Sequence, residues 1–275
     1  MPALPLSCVL TVNVEVESHD ALVAGGAGLF GRYSYGRYGA REGVWRLLDT
    51  FAALQVPATF FVDADDALSH PHIIEAILAG SHEVAQLGPP DLEAETDRSR
   101  LRDRLATSRD ALARIAGRPV AGWRAPAGIM TEPTLPILAE LGFLYDSSFQ
   151  DDDAPYLFGE EDGPTLMEVP TFKYLSDMAF YTARRNDETV RTAWGEEFAA
   201  IYAEGTGYAA LTVNARGDFG SGRALRTRLV GEWIGRAKQY AGVTITRCDH
   251  LAEQRRASLR AEPFPRLESF AQDAA

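Results

Sequence analysis

The chain has 275 residues, 46% of them hydrophobic, with 27 Lys and Arg against 39 Asp and Glu for a formal net charge of −12. That balance suits an α/β domain with a sizeable core, and it excludes nucleic-acid backbones and acidic membrane surfaces as natural partners. Cys8 and Cys248 are the only cysteines, too few for a disulfide framework or a thiolate zinc site, and read as reduced core thiols.

Residues 9–20, VLTVNVEVESHD, set Thr11, Asn13, Glu15 and Glu17 alternately with valines. Period-two alternation predicts a strand with one apolar and one polar face. Residues 19–39 follow, rich in Gly and Tyr and too long for an ordinary connection, which suggests a lid. Their GGAGLFG lacks the Lys-Ser/Thr ending of a phosphate loop. From residue 41 the pattern alternates. REGVWRLLDTFAAL has helical spacing, VPATFFVDA reads as a buried strand and HPHIIEAILAG as a helix with Pro in its first turn. SHEVAQLG predicts a strand, residues 91–116 an amphipathic helix ending at Gly117, and PVAGWRAP a strand. TEPTLPILAELG reads as a helix with Thr131 as its N-cap, and FLYDSS and TLMEVPTF as strands. Helix, strand, helix and a closing strand with a short helix follow to about residue 254.

Strands alternating with helices imply a parallel sheet covered by helices, a barrel or a doubly wound sheet. One domain over residues 1–258 with a tail at 259–275 is expected. No apolar run reaches the ~20 residues of a membrane span, and MPALPLSCVL lacks a basic n-region, so a cytoplasmic location is expected. In such folds chemistry gathers at the C-terminal ends of the strands. Asn13, Glu15, Glu17, Gln86, Leu87, Arg124, Asp146, Lys173 and Asn214 then surround one mouth, with the polar row of the first strand facing inward.

GWRAPAGIMTEPTLPILAELGFLYDSS followed by DDDAPY resembles the third motif region of the polysaccharide deacetylase (NodB-homology, carbohydrate esterase 4-like) family. YGAREGVWRLLDTFAALQVPATFFV, AGSHEVAQLG, LMEVPTF, YAALTVNA and GVTITRCDHLAE extend the resemblance over roughly residues 8–254. It implies a distorted (β/α)7 TIM-like barrel and hydrolysis of an amide C–N bond. The family's metal chemistry does not carry over. Its two opening aspartates are here Asn13 and Glu15, its paired histidines fall on Leu87 and Asp91, and its late catalytic histidine falls on Asn214. Leucine cannot ligate a metal, and carboxylates without imidazole make a poor zinc site. The Asn-x-Glu pair and YG-x-R-x-GVWR-L instead resemble the metal-independent allantoinase and cyclic-imide-hydrolase branch, although the histidines of that branch's second and last motifs are missing here.

What the resemblance implies is a metal-independent hydrolase of a small cyclic amide, imide or ureide, needing no cofactor. The alternatives are a non-hydrolytic isomerase, cyclase or lyase, or a pseudoenzyme that binds without turnover. Metal-free hydrolysis needs a base for water and fixed donors for the oxyanion. Glu15, near Glu17, is the candidate base, its pKa raised by desolvation and like charge, unless a salt bridge to Arg124 holds it ionised. Arg124 either grips a substrate carboxylate or carbonyl or orients the strand-end carboxylates. Asn13 and Asn214 complete the catalytic candidates, Asn214 as an oxyanion donor. Glu17, His19, Tyr38, Lys173 and Leu87 are the substrate-binding candidates, His19 as the one histidine leading into the lid and Tyr38, with Tyr33 and Tyr35, as an aromatic cover. A small molecule is the expected partner, and self-association into a homo-oligomer is compatible with this reading.

Overall fold

The computed structural model describes residues 5–23, 31, 34–92, 95–160 and 163–266. Its strands are β1 (Leu6–Val14), β2 (Thr59–Val62), β3 (Glu83–Leu87), β4 (Gly122–Arg124), β5 (Tyr145–Asp146), β6 (Tyr156–Gly159), β7 (Thr165–Glu168), β8 (Tyr208–Asn214), β9 (Val243–Thr246) and β10 (Ala261–Glu262). They form one sheet in the order β10–β6–β7–β5–β4–β3–β2–β1–β8. Every pairing is parallel except β6 with β7. β1 is the central strand. One edge carries β8 along residues 7–13, and the other carries β9 at residues 6–9 and β2 at 11–14. The wall curls round from β7 back to β8, where Ser176 bridges Thr212 and Tyr208 Oη donates to the Pro170 carbonyl at 2.6 Å. The result is a mixed α/β structure, a distorted (β/α)7-type barrel.

The helices follow their end signals. The helix Arg98–Ala116 starts where Asp97 accepts from the Arg100 N–H and stops at Gly117, which has φ +66°. The helix therefore begins seven residues later than position 91, behind a true cap. Asn186 caps Asp187–Glu204 in the same way. Thr131 does not cap the following helix. That helix spans Thr134–Glu140 behind Pro133, and Thr131 instead accepts from the Thr134 N–H in the preceding turn. A further helix, Ala64–Ser69, is capped by Asp63 and had no clear sequence periodicity. Ala261–Glu262 pair with β6 and Phe264 stacks on Phe158, while residues 267–275 of the expected tail lie outside the described residues.

Cys8, Leu10, Val12 and Val14 of β1 are buried, as are both cysteines, which are free thiols. The other face of β1 looks into the barrel, where Thr11 Oγ1 donates to Thr212 Oγ1 at 2.9 Å. The floor of the barrel is polar too. Glu83 accepts from Thr59 Oγ1 at 2.7 Å, Tyr145 Oη at 2.8 Å and the Asp249 N–H at 3.0 Å. Polar groups buried this deeply are tolerated because they are bonded. Among the described residues no helix is long and apolar enough to cross a membrane.

Candidate active site

At the C-terminal ends of the strands a cavity of about 110 Å³ is lined by Asn13, Glu15, Arg124, Ser147, Ser148 and Asn214, among others. Arg124 leaves β4 pointing into the barrel, 4% exposed, with its guanidinium 3.9 Å from the Phe61 ring centroid. Nε donates to the Ser147 carbonyl and Nη2 to Ser147 Oγ, both at 2.7 Å. Nη1 donates to Thr11 Oγ1 at 3.1 Å and Asn13 Oδ1 at 2.9 Å. Each of its nitrogens is thus already engaged by the protein. Arg124 orients the strand ends, and it is not a free fork for a substrate carboxylate.

Glu15 lies just beyond β1, buried, and makes no ion pair with Arg124 among the described residues. Its Oε2 is buried without a hydrogen-bond donor. Burial pushes its pKa up to about 7; Arg216 opposes this, while Asp177, Asp218 and Asp66 add to it. Glu17 plays no part in that shift, because it opens the helix Glu17–Val23 and turns away to pair with His70 and Arg37. A carboxyl that titrates near neutrality at a cavity wall can both take and return a proton.

Asn214 ends β8 beside Asn13, its register partner on β1. Asp177 accepts from its backbone N–H at 2.8 Å and from Nδ2 at 2.7 Å. Oδ1 is left buried with no donor. The expectation of Asn214 as an oxyanion donor is therefore corrected: its amide N–H is committed to Asp177, and what remains unpaired is an acceptor. Asp177 itself is pushed up to about 6, mainly by burial.

The Ser147–Ser148 edge is held from behind. Ser148 Oγ donates to Asp146 Oδ1 at 2.6 Å, and the backbone N–H groups of Ser148 and Phe149 donate to Glu168 Oε1 at 3.0 Å. Asp146 and Glu168 are register partners on β5 and β7, and desolvation with mutual repulsion drives Glu168 well above the carboxylate range. The rim is completed by Ala127, a non-glycine residue at φ +52°, next to Gly128 at φ +72°. Such strain collects at functional sites.

Five expected site residues stand elsewhere. Glu17 lines a separate cleft with Asp63, Asp66 and Asp91. His19 meets Phe219 edge-on at 6.0 Å, away from the cavity lining. Tyr38 is sandwiched by arginines, its hydroxyl accepting from Arg46 and donating to the Gly222 carbonyl, so it packs the loop after β8. Tyr33 lies outside the described residues, and Tyr35 is exposed. Lys173 is exposed on a short 3-10 turn. Leu87, 4% exposed, belongs to the hydrophobic core and does not line the cavity.

The donor set does not fit a metal ion. Leu87 has no donor atom, Asp91 is exposed and paired with Arg104, and Glu15 shares its cavity with the neutral amides Asn13 and Asn214 and the cation Arg124. Among the described residues no three His, Cys, Asp or Glu side chains converge as a metal-holding group. No reaction step is routed through a metal here.

Sequence reasoning missed Asp177 and Arg216. Asp177 sits in YLSDM, where an acidic first helical turn was its only signal. Arg216, 2% exposed, is gripped by Asp20 at 2.7 Å and by Asp218, tying the segment after β1 to the loop after β8.

A barrel with a polar, carboxyl-bearing mouth at the C-terminal strand ends is the class that fold and site define. Residues 35–145 match the family model for polysaccharide deacetylase. A candidate polysaccharide deacetylase from Mycobacterium smegmatis superposes with a TM-score of 0.85 at 30% identity, covering 97% of this chain and 98% of that one. A second candidate deacetylase, from Pseudomonas aeruginosa PAO1, gives 0.83 at 23% identity over 92% of each chain. PuuE allantoinase gives 0.81 at 23% identity, covering 93% of this chain and 91% of that one. The chain belongs to the polysaccharide deacetylase family.

Proposed function

We propose that this protein is a metal-independent hydrolase that opens a small cyclic amide, imide or ureide. The observation that carries the proposal is Glu15: buried at the cavity wall, unpartnered at Oε2, and titrating at about 7. As a carboxylate it removes a proton from water while the water oxygen bonds to the ring carbonyl. As the resulting acid it returns that proton to the ring nitrogen as the C–N bond breaks, so water is consumed and an open-chain product leaves. The cavity, about 110 Å³, is on the scale of a small ring. Fold similarity to PuuE allantoinase supports the same class of substrate.

The test is ring opening by the purified protein in excess chelator, across pH. Activity should persist, rise as Glu15 ionises through pH ~7 and vanish in Glu15→Gln. Activity that appears only when zinc is added would overturn the proposal. One observation favours a second reading, a proton-transferring isomerase or lyase: Arg124, the cation on the cavity wall, spends bonds from all three of its nitrogens on the protein, which leaves it no free pair of donors for an oxyanion. That enzyme would show no ring opening, while Glu15→Gln would still abolish isotope exchange into its substrate.

A further inference from the structure

Asn214 is the member of the cavity wall whose polar atoms are held in only one arrangement. Asp177 is an acceptor-only partner, so the carboxamide nitrogen must turn toward it and the oxygen must turn away. The bonds from Asn214 N and Nδ2 to the two carboxylate oxygens, 2.8 and 2.7 Å, clamp the residue in that pose. Oδ1 is then a buried acceptor with no donor among the described residues, on the wall of the cavity. Glu15 Oε2 is a second buried acceptor in the same condition. Several donors on the cavity wall are already spent on the protein. Arg124 is engaged at every nitrogen, and Ser147 Oγ and Ser148 Oγ donate to the Val169 carbonyl and to Asp146.

A buried acceptor left unpaired costs free energy that a ligand donor recovers.

We infer that the site selects rings by a free N–H: Asn214 Oδ1, aimed by Asp177, accepts a hydrogen bond from an unsubstituted ring nitrogen, so the substrate is an N–H-bearing ring. This rests on the cyclic amide, imide or ureide reading above and narrows it. Asn214 contacts substrate, and Asp177 is a positioning residue.

The test measures binding by calorimetry on Glu15→Gln protein, in which turnover is suppressed. The probes are glutarimide and hydantoin and their N-methylated counterparts. The N–H rings should bind at least about ten-fold tighter than the N-methyl rings, the value of one buried hydrogen bond. Adding Asn214→Leu should erase the preference. Leucine fills nearly the same space, so a rejection that was merely steric would survive it. Equal binding of the two sets, a preference that persists in Asn214→Leu, or no binding of any ring would each overturn the inference. If Asn214→Leu does not fold, the comparison of N–H with N-methyl rings on Glu15→Gln protein decides alone. Wild-type protein that leaves the rings intact while the preference holds would sink only the hydrolase reading.

Discussion

Arg124 holds Ser147 twice, through Nε to its carbonyl oxygen and through Nη2 to its hydroxyl, both at 2.7 Å. With Nη1 on Thr11 and Asn13, one side chain from β4 ties β1 to the strand end at β5 across the barrel interior. Its desolvation is offset by these bonds and by the Phe61 face beneath it.

Replacing Arg124 with Met keeps the bulk and removes every one of those bonds. Thr11 and the Ser147 carbonyl would be left as buried acceptors short of a donor, the half-buried Asn13 would lose one too, and the expected loss of stability is about 3 kcal/mol. Arg124→Lys should recover only part of it, since an ammonium cannot reproduce the fork. Urea denaturation checks both. An Arg124→Met protein as stable as wild type would mean that Arg124 is a loosely held ligand-binding group after all.

The contrast with Arg124 as a substrate anchor shows where sequence stops being informative. Alternation in VLTVNVEVESHD and the helix-strand rhythm after residue 41 are local patterns, and local patterns set element type. Asp97 and Gly117 bound their helix by chemistry that any reader of the chain can see. Whether Arg124 has a donor to spare depends on Thr11 and Ser147, which lie 113 and 23 residues away and meet it only when the barrel closes. The same holds for Asp177, 37 residues before Asn214, whose grip turns the asparagine from donor to acceptor. Glu17 was misplaced for a simpler reason. Strand alternation was extended past Val14, where the chain turns into a helix and the period-two rule no longer applies.

The buried carboxyls make stability fall with rising pH. Glu15, Asp63 and Glu83 are each raised to about 7 and Asp177 to about 6, chiefly by burial. A carboxyl whose folded pKa lies above its unfolded value binds the extra proton in the folded state. Its contribution is complete below the unfolded pKa and is lost as pH climbs through the folded one. His82, lowered to about 4 by burial, acts in the opposite sense, but only between about 4 and 6.5, where the unfolded imidazole binds the proton that the folded one refuses. Above pH 6.5 only the carboxyls remain. The melting temperature should therefore drop between pH 6.5 and 8 by on the order of 5 °C. A flat or rising melting curve over that interval would show that these carboxyls are ionised in the folded protein at pH 6.5.

Three glycine-to-alanine substitutions separate packing, strain and propensity. In β4, a Cβ on Gly122 would lie 1.9 Å from Tyr145 Cζ and 2.2 Å from its hydroxyl, the group that donates to Glu83. Tyr145 is fully buried and has nowhere to move, so Gly122→Ala overpacks the barrel and breaks the Glu83 bond, costing about 3 kcal/mol. At Gly117 there is open space but φ is +66°, so Gly117→Ala should cost about 1 kcal/mol from backbone strain alone. Gly235 stands inside the helix Ala224–Ala237 with nothing within 4 Å of a new Cβ, and Gly235→Ala should stabilise by up to ~1 kcal/mol. Denaturation midpoints of the three variants give the ranking directly. A Gly122→Ala protein no less stable than the Gly117→Ala one would mean that Tyr145 does not fill the barrel beneath Arg124, and that the polar floor around Glu83 is built differently.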